Sequence, residues 1–255
     1  MARNTASNIN VRGVYFNDTT LDATVDALCS ALTEKKQVAL YTPNSEIVQA
    51  CIDEPSLYDV INSAELIIPD GVGVVKAARI LGTPFASGKI AGIEVGEAFV
   101  KRLSATEHTV FLLGGKPGVA EQAGERLAEK YPGIHFVGFH DGYFKKEGDE
   151  NEEILRLVNE SGAEVLFVCL GAPTQEKWIY QNRNRLPSVH AFLALGGSLD
   201  GYAGIVKRAP RIFIRLGLEW FYRLLCEPWR LRRMMKLPKF YFGTWSYKLT
   251  RSKRG

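Results

Sequence analysis

Short apolar runs recur along the first 200 residues, separated by longer stretches in which apolar positions return every three or four residues. VALYT (38–42), ELIIPD (65–70), TVFLLGG (109–115), IHFVGF (134–139), EVLFVCLG (164–171) and HAFLALGG (190–197) read as six strands. None alternates strictly between apolar and polar, the mark of strands covered on both faces. The segments 20–35, 45–62, 91–104, 117–131, 149–161 and 174–184 carry helical periodicity between them. Strand and helix in repeated succession predict an α/β fold with a doubly wound, mostly parallel, Rossmann-like sheet. The opening GVYFNDTT stretch reads as an extra strand feeding a helix capped near Asp18 or Thr19.

Charge divides this picture in two. Of 32 Lys/Arg and 28 Asp/Glu, residues 205–255 hold fourteen of the former and only Glu219 and Glu227 of the latter, so an acidic body is followed by a strongly basic tail. The predicted boundary puts a core domain at 1–204 and a helical, basic, aromatic-rich appendage at 205–255. The tail also holds Phe213, Trp220, Phe221, Tyr222, Trp229, Phe240, Tyr241, Phe242, Trp245 and Tyr247. Cationic charge among aromatics suits an anionic membrane surface, and also nucleic acid. The most apolar tail segment, 212–226, is interrupted by Arg215, Glu219 and Arg223, so no span of the bilayer is expected. The first residues lack an apolar stretch of signal-peptide type. Cys29, Cys51, Cys169 and Cys226 are widely spaced and read as reduced thiols of a cytosolic protein.

In a doubly wound sheet, ligands sit beyond the carboxyl ends of the strands. The residues there are Thr42-Pro43-Asn44, Pro69-Asp70-Gly71, Gly114-Gly115-Lys116-Pro117-Gly118, Gly171-Ala172-Pro173-Thr174-Gln175 and Gly196-Gly197-Ser198-Leu199-Asp200. Gly114 and Gly115 open a helix whose first N–H groups suit a phosphate, or they form an ordinary turn. They match neither G-x-G-x-x-G nor the P-loop, which disfavours a dinucleotide enzyme. Asp70, between a stiff and a flexible residue, is a candidate general base, or a turn-former. Gln175 suits a sugar hydroxyl or acetamido group, with Thr174 as a helix cap in the plainer reading. Asp200 suits a ribose or base edge, or an Asx turn. Asp70 and Glu176 could pair as glycosidase carboxylates, although sequence supplies no distance. No Asp-x-Asp occurs and the four histidines are scattered, so no metal site and no cofactor are expected. In the tail, Arg223, Arg230 and Arg233 suit the fork geometry of phosphates, or form a solvated basic face.

The segments TPNSEIV, PDGVGVV, FLLGGKPG, GAPTQEKW, GGSLDGYAG and RAPRIFIRLGLEWFYRLLCEPWRLRRM stand in an order that resembles the WecG/TagA/CpsF glycosyltransferases across about residues 10–240. The resemblance implies an inverting, metal-independent transfer of a sugar from a UDP donor to an undecaprenyl-diphosphate-linked sugar. In the best-known branch N-acetylmannosamine passes to GlcNAc-diphospho-undecaprenol, a step toward teichoic acid or related surface polymers. Carried over by position, Asp70 would be the base and Thr42 and Asn44 would line its pocket. Gln175 lies in the matching G-x-P-x-Q-E that begins at Gly171 and includes Pro173, and Asp200 would meet the nucleoside. Arg223, Arg230 and Arg233 would meet the lipid diphosphate. Lys89-Ile90-Ala91-Gly92-Ile93-Glu94 departs from the family's Arg-Val-x-Gly-x-Asp; it keeps the charge on the donor side but not the guanidinium fork. Expected partners are therefore the UDP-sugar, the lipid-linked acceptor and the inner face of the cell membrane, not nucleic acid, with self-association left open. The alternatives are another donor (UDP-glucose or UDP-N-acetylmannosaminuronic acid) and a non-enzymatic nucleic-acid-binding module.

Overall fold

The computed structural model describes residues 8–206, 213 and 236–252. The chain begins with an antiparallel hairpin, β1 (Asn8–Val11) and β2 (Val14–Asn17), where one strand was expected. Arg12 and Gly13 make its two-residue turn, both at positive φ, as a turn that matches strand twist requires. Helix α1 (Leu21–Glu34) is capped one residue later than expected: Thr20 accepts from the Ala23 N–H at 3.1 Å. Asp18 instead accepts from the Ala86 N–H at 2.9 Å, tying the hairpin to a distant loop.

Six strands then form one parallel sheet: β3 (Val38–Tyr41), β4 (Leu66–Ile67), β5 (Thr109–Gly114), β6 (His135–His140), β7 (Val165–Cys169) and β8 (Ala191–Ala194). Their spatial order is β4-β3-β8-β7-β5-β6. All six were expected from their apolar runs, and burial explains why those runs do not alternate. Leu40, Leu112, Phe167 and Leu193 point into one apolar layer with α1, α5 (Gly92–Leu103) and α6 (Val119–Lys130). Their chain neighbours Tyr41, Leu113, Val168 and Ala194 point into another, under α7 (Asp149–Glu160) and α8 (Thr174–Asn182). Both faces of each central strand are dry.

The expected helix over 45–62 is two, α2 (Ser45–Asp53) and α3 (Leu57–Ile61). Pro55 is the cause: it disfavours helical backbone in the residue before it, and Glu54 is extended at φ −130°. Helix α4 (Val72–Leu81) was not expected at all. It completes a third apolar cluster with the hairpin, α2 and the edge strand β4. Into that cluster the chain's last described helix inserts Phe240, fully buried. That helix, named α10 below, spans Lys236–Ser252, and the short α9 (Ser198–Tyr202) follows β8. Pro238 is tolerated in α10 because it falls in the first turn. Thr244 is buried beside Phe240 and donates its hydroxyl to the Phe240 carbonyl at 2.7 Å. Lys239 reaches Asp53 of α2 at 2.7 Å, and the Arg12 guanidinium lies 5.1 Å from the Tyr247 ring centre.

Candidate active site

The connections leaving β5 and β7 diverge, one toward β6 and the other toward β8. Such a switch point opens a crevice at the carboxyl edge of the sheet. Gly114 ends β5 there at φ 135°, and a Cβ on it would stand 2.3 Å from the Cys169 carbonyl oxygen of β7. Only glycine lets these two backbones meet. Gly115 follows, its N–H on the Cys169 carbonyl at 3.3 Å and its carbonyl holding the Gly142 N–H at 2.8 Å. Beyond β7 and β8, Cβ atoms added to Gly171 or Gly196 would meet nothing within 4 Å, so both face open space at this edge.

On the β3–β4 side, Thr42 is buried and donates to the Ala194 carbonyl of β8 at 3.1 Å. The start of α5 presses on it: a Cβ on Gly92 would lie 3.0 Å from Thr42 Cγ2. Asn44 caps α2, its oxygen accepting from the N–H groups of Glu46 at 2.9 Å and Ile47 at 3.2 Å. Asp70 is half-buried after β4. The next residue, Gly71, sits at φ 85° as the N-cap of α4. A Cβ on Gly71 would be 3.8 Å from Asn44 Cβ, which places the TPN and PDG segments side by side. Lys89 is brought to the same place by its neighbour, since the Ile90 N–H donates to the Pro69 carbonyl at 3.0 Å.

On the β7–β8 side, the Ala172-Pro173 peptide is cis, and Pro173, not Thr174, occupies the N-cap position of α8; Thr174 is exposed. Gln175 is buried, with both ends of its amide engaged. Its oxygen accepts from the Gly196 N–H at 2.9 Å, which fixes the amide's orientation, and its nitrogen donates to Glu176 at 2.9 Å. Glu176 is fully buried, and desolvation pushes its carboxyl up to about 7. With no exposed surface it offers no accessible second carboxylate for the glycosidase-type pairing with Asp70. Trp178, in the same motif, is a core residue that donates to Asn151 at 2.7 Å and anchors α8 on α7. Asp200 sits half-buried inside α9, and its carbonyl, not its side chain, holds the N–H groups of Ile205 and Val206.

Helix α10 supplies a contact that no strand-end rule points to. A Cβ on Gly73 would stand 2.5 Å from Ser45 Oγ and 3.7 Å from the Tyr241 hydroxyl, so Tyr241 overhangs the first turn of α4, next to Asp70. Arg223, Arg230 and Arg233 lie outside the described residues. Among the described residues, no three His, Cys, Asp or Glu side chains gather to hold a metal ion. None of the described helices is long and apolar enough to cross a membrane. A shallow cavity of about 400 Å³ lined by Asp26, Cys29, Ser30 and Arg102 lies between α1 and α5, on the flank of the sheet rather than at its strand ends.

Fold and site together define a doubly wound α/β enzyme with polar, glycine-rich loops at the carboxyl edge of its sheet, where Asp70 and Asp200 are both half-buried. The model of the glycosyl transferase WecG/TagA/CpsF family matches residues 9–254, and the chain belongs to that family. It is 37% identical over 209 residues to the N-acetylglucosaminyldiphosphoundecaprenol N-acetyl-beta-D-mannosaminyltransferase of Bacillus spizizenii, covering 82% of this chain and 79% of that one. It is 34% identical over 254 residues to the protein of that name in Staphylococcus aureus, covering 99% and 96%.

Proposed function

We propose that this protein transfers N-acetylmannosamine from its UDP donor to a GlcNAc-diphospho-undecaprenol acceptor. The juxtaposition of the TPN and PDG loops at the mouth of the crevice carries this reading, together with the similarity to the named transferases. Asp70 takes the proton from the acceptor hydroxyl as that oxygen bonds to the anomeric carbon. The bond from that carbon to the β-phosphate breaks, and UDP leaves from the opposite face with inversion. Charge on the departing diphosphate is met by strand-end backbone N–H groups near Gly115 and by Lys89, as a site without a metal requires. Asp200 serves the nucleoside, and Thr42 and Asn44 shape the acceptor side. Asn44 spends its oxygen on the α2 cap, and its NH₂ makes no hydrogen bond among the described residues. Gln175 acts by shaping the loops rather than by offering a free amide.

The outward face of α10 supports work at a membrane surface. Phe242, Leu249 and Trp245 fall on one side of the helix at 77%, 61% and 51% exposure, with Lys248 against the Trp245 ring. Apolar rings beside a cation fit the interface of an anionic bilayer. There the basic segment before α10 meets the lipid diphosphate.

The test is UDP release by the purified protein given UDP-N-acetylmannosamine and a GlcNAc-diphospho-lipid, with EDTA present. Acceptor-dependent release is expected. Release from UDP-glucose or UDP-N-acetylmannosaminuronic acid instead would reassign the donor, and no release from any of them would reject the transferase reading.

A further inference from the structure

Glu176 is a costly residue in its place. Burying an ionisable carboxyl with no cation beside it is unfavourable by several kcal/mol unless it keeps its proton. Glu176 Oε1 accepts from Gln175, while Oε2 is buried with no hydrogen-bond partner among the described residues. A glutamine at this position would accept the same hydrogen bond without the cost. What a carboxyl adds is a second charge state, and its pKa near 7 makes both states accessible near neutrality.

The groups packed around it do not share that range. From β3, the Tyr41 hydroxyl donates to the Glu176 backbone carbonyl at 3.2 Å, and burial drives its own titration far upward. From α2, burial and the Glu176 charge push the Cys51 thiol up to about 12. Glu65 and Arg183 stand beyond Tyr41, paired with each other at 3.1 Å, and Glu54 stands beyond Cys51, paired with Lys177 at 3.2 Å. The outlet for a change at Glu176 is therefore the chain it belongs to: Gly196 N–H to Gln175 oxygen, Gln175 NH₂ to Glu176 oxygen. That chain spans from the first turn of α8 to the loop that leads to Asp200.

We propose that Glu176 is a positioning residue which, in its ionised form and through Gln175, draws the Gly196 N–H inward and sets the β8 loop for binding of the sugar-nucleotide donor. A hydrogen bond to a carboxylate is stronger than one to a neutral carboxyl, and linked hydrogen bonds strengthen one another. Protonation of Glu176 loosens the loop, and ionisation tightens it. The link to the donor rests on the function proposed above; the link to Gly196 does not.

Two measurements separate these. The first follows the Gly196 amide resonance of the full chain from pH 5.5 to 8.5, without substrate. A titration with a midpoint near 7 is expected in the wild type, and a flat response in both Glu176→Gln and Gln175→Met, the latter keeping the acid but cutting the chain. A flat wild-type response, or titration that persists in either variant, overturns the proposal. Should Glu176→Gln not fold, Gln175→Met decides alone. The second measures KM and kcat for UDP-N-acetylmannosamine, whose diphosphate does not titrate in this range. KM is expected to rise about fivefold from pH 8 to pH 6 in the wild type and to lose that dependence in Glu176→Gln, with kcat following the same profile in both proteins. A KM profile unchanged by Glu176→Gln overturns the link to donor binding. Absence of transfer while Gly196 still titrates counts against the transferase reading, not against the relay.

Discussion

The two sides of the crevice are built by different means. On the β7–β8 side the loops are tied from beneath: Gln175 bridges Gly196 and Glu176, and the Trp178–Asn151 bond locks α8 in place. On the β3–β4 side the loops rest on an α2 cap, a tight glycine contact and a helix from the far end of the chain, with Phe240 below and Tyr241 above. One side is set by the core of the sheet. The other is completed by α10, so the half that carries Asp70 is also the half against which that helix packs. On the function proposed above, this division would hold the β7–β8 loops ready while the surroundings of the acid depend on the docking of α10.

Phe240→Ala should break the comparison most strongly. Removing a buried ring from the third cluster costs about 3–5 kcal/mol. The loss should appear in denaturant unfolding and as hydrogen exchange rising in α2, α4 and α10, with β7 and β8 protected as before. Equal loss of protection on both sides would show that the sides are not independent.

Glu176→Gln probes the other side and should act in the opposite direction. The folded carboxyl, at about 7, lies above its ordinary value of 4.5. Its stability contribution is therefore full below pH 4.5 and lost as pH rises through 7, because the unfolded chain ionises first. Relative to the wild type, the variant should gain stability across that window, by on the order of 3 kcal/mol above pH 7. Thermal melts of both proteins at pH 4.5 and 8 check the sign; a gap that does not widen with pH would contradict the buried acid.

Trp245→Ser should change stability least, by under about 0.5 kcal/mol, because the ring stands on the outer face of α10. Its effect should appear as roughly tenfold weaker sedimentation with phosphatidylglycerol vesicles. Unchanged sedimentation would detach α10's outer face from membrane binding.

Much of this was legible in the sequence, for identifiable reasons. Six apolar runs of the right length gave six parallel strands, and the strand-end rule points to five loops at the carboxyl edge but not to the Lys89 segment, Gly142 or Tyr241. The α2–α3 break is legible too, at Pro55, which interrupts an otherwise continuous helical period. Helix α4 was missed because Pro69-Asp70-Gly71 reads as the end of an element and Gly82 follows only ten residues on. The hydrogen bonds of Thr42 and Gln175 could not be read, because those to Ala194 and Gly196 depend on which strands become neighbours; the Asn44 cap on Ile47, three residues on, is local. The place of Tyr241 was hidden for the same reason: nothing local in a basic tail says that one of its helices returns to the edge of the sheet.

The most direct test of the central claim is single-turnover transfer by Asp70→Asn beside calorimetric titration of UDP into the same protein. Asparagine keeps the size and the loop but cannot take a proton, so transfer should fall by about 10²–10⁴-fold while UDP affinity stays within about twofold. Transfer at the wild-type rate would remove Asp70 from the chemistry and with it the reason for placing the reaction at this end of the sheet.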